Sequence, residues 1–194
     1  MRIKPFAYLL LVVFSLGTAL GQSKAPPKSS KTTPGPIKDI DGWGKIKWGM
    51  TTAQARAAYG SEATIPEGEN PYKDTYIEKL IIKSLTVGDV EMKVSIAALN
   101  KTDRIANIAL ENAGSLTDSV SAGAYSNLKI ALTRKYGTPA STDHTAQSRV
   151  TSDVTKWIFP STAIELLEIE IESINYGSIH LTYSAANKKL LDVL

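Results

Sequence analysis

The chain has 194 residues, with 22 Lys and Arg against 19 acids, two histidines and no cysteine. Lacking cysteine, it forms no disulfide, thiolate metal site or cysteine nucleophile, and its fold must rest on packing alone. Six of the basic residues stand in the first 38 positions, which hold no acid, so the remainder has 16 basic and 19 acidic groups, a net of −3, and a nucleic-acid interface loses its main support.

Residues 1–21 read as an export signal. Arg2 and Lys4 make a basic start, Phe6 to Leu20 is apolar, and Ala19-Leu20-Gly21 supplies the small residues of a cleavage site before Gln22. The apolar run is shorter than the roughly 20 residues that span a bilayer. A signal that stays as an inner-membrane anchor is the alternative. Gln22 stands where a lipoprotein would need cysteine, which excludes a lipid anchor. Residues 22–38 hold four prolines with Ser, Thr and Lys and no apolar face, the composition of an extended tether.

From Asp39 onward an α+β domain is expected, built of two units at about 39–112 and 113–194. The first helix is the best-signalled element. Thr51 and Gln54 form a capping box, Met50 stands before the cap, and Gly60 ends the helix. Strands follow at 76–85, 90–98 and 105–110, the middle one alternating strictly from Val90 to Ala98. Val87-Gly88-Asp89 and Asn100 to Asp103 are the turns between them.

A second helix is predicted from about Ser119 to Tyr136, where Tyr125, Leu128, Leu132 and Tyr136 recur at helical spacing and Gly137 stops the chain. Ala140 to Thr151 reads as a long polar loop. Three more strands are expected at 154–159, 163–171 and 178–183, then a short closing helix from Ala185 to Leu194. Both helices end in Tyr-Gly, at Tyr59-Gly60 and Tyr136-Gly137. The order is a tandem of two helix-plus-antiparallel-meander units; the alternative is a single α+β sheet without a repeat.

Trp48-Gly49-Met50-Thr51, leading into an alanine-rich helix that ends at Gly60, resembles the opening helix of small exported bacterial modules. These are the β-lactamase-inhibitor-protein-like fold and the outer-membrane assembly accessory lipoproteins. The resemblance implies a sheet packed on that helix and a binding or inhibitory role. This chain lacks the lipoprotein cysteine and the inhibitor's disulfides, and no functional residue carries over.

The chemistry-bearing residues are few. His144 and His180 lack metal-ligand spacing, and no nucleophile elbow or glycine-rich phosphate loop occurs. No catalytic, metal or cofactor residue is therefore assigned. Trp157 shares a strand face with Thr155 and Phe159, at the expected seam with the second helix. Trp43, between two glycines, is the candidate contact ring. Glu168, Glu170 and Glu172 alternate with Leu167, Ile169 and Ile171, which predicts apolar residues inward and either a solvated acidic face or a patch for a basic partner. The function expected is an exported, non-enzymatic binding or envelope-accessory module with a protein partner, neither nucleic-acid-bound nor inserted in the membrane. A secreted hydrolase is the alternative.

Overall fold

The computed structural model describes residues 38–186, apart from 69, 73, 74, 88 and 89. The expected signal, nearly all of the tether, the Gly88-Asp89 turn and the closing segment from residue 187 lie outside the described residues.

A small hairpin opens the described chain, pairing β1 (Gly42–Trp43) with β2 (Ile46–Lys47). Helix α1 (Thr52–Tyr59) starts from the expected capping box: Gln54 N–H donates to Thr51 Oγ1 at 3.2 Å, and Thr51 N–H donates to Gln54 Oε1 at 2.9 Å. Then come β3 (Ala63–Thr64), β4 (Asn70–Tyr72), β5 (Tyr76–Val87), β6 (Val90–Leu99) and β7 (Ile105–Asn112). Helix α2 (Asp118–Tyr136) leads into β8 (Ser141–Gln147), β9 (Val150–Ile158), β10 (Thr162–Ile171) and β11 (Tyr176–Ala185). Ala185 therefore closes a strand and does not open a helix.

Among the described residues β3 to β11 make one nine-stranded antiparallel sheet. Strands β3 and β4 both pair along β5, and the order then runs β6, β7, β11, β10, β9, β8. The two meanders thus meet through their last strands, β7 and β11.

Cross-strand register builds the core directly. Leu80, Ile96, Ile108, Tyr183, Ile164 and Trp157 pair in sequence across six strands, and all are buried. Ala55 of α1 and Tyr125, Leu128 and Leu132 of α2 join the same apolar cluster. Burying each large side chain is worth about 1.5–3 kcal/mol, so this row contributes substantially to stability. The Trp157 indole N–H also donates to the Gly137 carbonyl at 2.9 Å, tying the end of α2 to β9.

Both helix stops sit at positive φ, with Gly60 at φ 58°, ψ −128° and Gly137 at φ 86°, ψ −168°. A Cβ at either position would meet no neighbour within 4 Å, so only backbone strain opposes a side chain there. Gly60→Val and Gly137→Val should each destabilise the fold by about 1–3 kcal/mol. Urea unfolding measures this; a neutral result for either would contradict the backbone argument.

Two sequence expectations need correction. The polar loop at Ala140 to Thr151 is largely strand β8, paired with β9 without a break from Ser141 to Gln147. It is an edge strand whose side chains are nearly all exposed, so no apolar alternation marks it. Strand β10 is also turned over. It pairs on both sides without a bulge, so one phase must hold from Thr162 to Ile171. Its sequence carries two phases, apolar at Ile164 and Leu166 and then at Leu167, Ile169 and Ile171. The first phase wins, because Ile164 and Leu166 sit in the rows filled by Trp157, Tyr183 and Leu181. The second phase is forced into reverse.

Candidate functional site

Among the described residues, a recess that includes an expected contact residue lies around Trp43. It has a volume of about 750 Å³ and is lined by the segment Lys38 to Gly44 together with Lys135, Tyr136 and Phe159. Its apolar wall belongs to a chain of rings. Trp43 stacks on Tyr59 at 6.5 Å between centroids and leans on Tyr183 at 6.3 Å. Tyr183 meets Tyr136 edge-on at 6.4 Å, and Tyr136 meets Phe159 at 5.9 Å. Such pairs add about 0.5–1.5 kcal/mol each beyond burial.

The elements that place these rings come from both halves of the chain. Tyr59 ends α1 and Tyr136 ends α2, so the two Tyr-Gly helix endings converge on one ring chain. Hairpin β1–β2 carries Trp43 into the gap between Tyr59 and Tyr183. Burial raises the Tyr59 hydroxyl pKa above the usual range, and burial with the adjacent Tyr136 raises that of Tyr183 further. Both phenols are neutral.

The rim is charged. Lys135 Nζ lies 4.9 Å over the Tyr136 ring, and Lys45 Nζ lies 4.9 Å over Tyr59. Asp39 accepts hydrogen bonds from the Ser161 hydroxyl at 2.6 Å and its N–H at 3.0 Å, which hold its carboxylate below the ordinary range. Asp41 pairs with Lys47 at 2.8 Å. The groove therefore offers aromatic surface flanked by both signs of charge. Its lining carboxylates are engaged, Asp39 with Ser161 and Asp41 with Lys47.

Lys135, Tyr136, Phe159 and Asp39 escaped sequence reasoning as lining residues. Only the matching Tyr-Gly endings hinted that the helix ends share a role.

The three glutamates do not form one solvated face. Glu168 is 4% exposed on the α2 side of β10, Glu170 is half-buried beside it, and Glu172 is exposed in the turn after the strand. Leu167, Ile169 and Ile171 are half-buried on the opposite face. Glu170 accepts from the Thr151 hydroxyl at 3.3 Å and the Ser121 hydroxyl at 3.4 Å. Glu168 is driven to a pKa of about 7, first by burial and then by the charges of Glu170 and Asp153, against a hydrogen bond from Ser121 that lowers it. Trp43 and these acids are not brought together.

The histidines are apart as well. His144 Nδ1 lies 3.1 Å from both carboxylate oxygens of Asp153, but its side chain is 60% exposed on edge strand β8. His180 faces Glu111 at 3.4 Å on the other side of the sheet. A hydrolase site would need a pocket around such a dyad. Among the described residues no group of three or more His, Asp and Glu is arranged to hold a metal ion. No helix of the described residues is long and apolar enough to cross a membrane.

No protein-family model matches the chain, and no curated protein and no solved structure matches it either.

Proposed function

We propose that this chain is an exported, non-enzymatic binding module, and that the aromatic groove at Trp43 receives a side chain of a protein partner. The observation that carries the reading is the ring chain from Tyr59 through Trp43, Tyr183 and Tyr136 to Phe159, beside a recess of about 750 Å³. Aromatic anchors with a nearby cation are the residues that dominate protein interfaces. A binding role is also what the resemblance of Trp48 to Gly60 implies, and export is what residues 1–21 imply.

The same reading includes a tandem origin for the two halves. What supports it is the palindromic strand order, with each helix preceding a meander and the meanders meeting at β7 and β11. The shared Tyr-Gly endings, converging on one groove, point the same way.

The test is capture of envelope proteins on the mature chain, followed by affinity measurement with the partner recovered. Trp43→Ala and Lys135→Ala should each weaken binding by about ten-fold or more, with the circular dichroism of the folded protein retained. Unchanged affinity in both variants would refute the groove as the contact site.

A further inference from the structure

Helix α2 does not rest on apolar residues along its whole length. Its later turns cover the core through Tyr125, Leu128 and Leu132, whereas Ser121, fully buried, faces Glu170. Here the mis-phased half of β10 lies beneath the helix. Moving along the covered face toward the start of α2, the rows grow more polar. Leu166 is flanked by Thr155 and Leu181, and two residues on Glu168 is flanked by Asp153 and Ile179.

Glu168 Oε1 is buried and has no hydrogen-bond partner among the described residues. The groups facing it can be named element by element. Strand β10 contributes Glu170, β9 contributes Asp153 as direct cross-strand neighbour, and β8 adds His144 on the far side of Asp153. Helix α2 contributes Ser121 and Tyr125, whose hydroxyl shares a 2.8 Å hydrogen bond with Thr155 and whose ring lies 5.8 Å from Lys129 Nζ. Strand β11 contributes Gly177 and Ile179, neither of them charged. The surroundings are acidic and no cation adjoins the buried oxygen among these groups.

The helix is also seated very closely. A Cβ at Gly177 would stand 2.3 Å from Ser121 Oγ and 3.1 Å from the Thr117 carbonyl, so the start of α2 lies almost on the β11 backbone. Water has little room to solvate a charge there while the helix is down. A buried carboxylate without a counter-ion is tolerated when protonated and resists burial when ionised.

We infer that the first turns of α2 are a proton-operated latch: they stay seated while Glu168 carries its proton, and its ionisation releases them from the sheet. The step is one of acid dissociation only. The proton leaves the Glu168 carboxyl for solvent, and the lifted helix admits water to the carboxylate. This inference does not depend on the groove reading.

With the seated carboxyl titrating near 7 and a solvated one near 4.5, the opening constant of α2 should rise roughly 70-fold from pH 5 to pH 8 and level off above the seated value. Hydrogen exchange of the full chain, read at the amides of Val120 to Tyr125 and corrected for intrinsic rates, measures it. Glu168→Gln should abolish the rise. Glu170→Gln should keep a smaller rise that levels off at lower pH, because a neighbouring negative charge is gone. His144→Asn should leave the rise in place. The inference is overturned by a flat profile in the wild type, by a rise that survives Glu168→Gln, or by one that disappears in His144→Asn. If Glu168→Gln does not fold, an unshifted profile in Glu170→Gln overturns it instead.

Discussion

Glu168→Gln should stabilise the whole protein by about 2–3 kcal/mol at pH 8 and change it little at pH 4. The sign follows from the direction of the shift. The folded-state pKa of Glu168 is raised from 4.5 to about 7. Its favourable contribution is therefore fully present below about pH 4.5. It is lost as pH rises toward 7, because the unfolded chain gives up this proton first. A difference of about 2.5 pH units corresponds to about 3 kcal/mol at 1.36 kcal/mol per unit. Glutamine removes the ionisation and keeps the shape, so the variant loses this slope. Urea unfolding of both proteins at pH 4, 6 and 8 checks it. If wild type and variant run parallel, Glu168 is not the group responsible, and its carboxylate is better solvated than its burial implies.

Trp157→Ala should cost about 3–5 kcal/mol. The indole is 1% exposed, ends the six-strand row of large apolar residues, and donates to the Gly137 carbonyl. Its removal leaves a cavity and an unpaired helix-end carbonyl together. Trp157→Phe should recover much of the packing and still lose the hydrogen bond, at about 1–2 kcal/mol. The midpoint of urea unfolding should move with little change of slope. A loss below about 1 kcal/mol in Trp157→Ala would show that β9 and the end of α2 are held by other contacts.

Such a loss would be a large fraction of the 5–15 kcal/mol by which domains are ordinarily stable. The two substitutions also act in opposite directions on the same helix. Trp157 secures its end, where the rows beneath it are apolar. Glu168 weakens its beginning, where the rows are polar. The contrast follows from one feature of β10, the switch of phase at Leu166-Leu167. Had the strand carried a bulge there, Leu167, Ile169 and Ile171 would have faced α2 and both ends would be dry.

Local chemistry decided a good part of the fold. The capping box of α1 uses groups three residues apart, so Thr51 and Gln54 specify it without help from elsewhere. The repeat of Tyr125, Leu128 and Leu132 specifies the buried face of α2, and the alternation of Val90 to Ala98 specifies β6. Trp157 and Phe159 share a face because they are two residues apart on a strand, and Gly137 stops α2 because its backbone reaches where others strain.

Only the tertiary structure decided the rest. Strand β8 exists because β9 offers its edge, and a polar edge strand leaves no apolar pattern to read. The inward turn of Glu168 was settled by Trp157, Tyr183 and Leu181 on neighbouring strands. A strand that pairs without a bulge must obey one phase, and that choice belongs to the sheet as a whole. The groove unites Trp43 with Tyr136 and Phe159, residues more than 90 positions away along the chain. Spacing along a chain reports which residues share a face of one element; which face is buried, and what meets it, is set by register between elements.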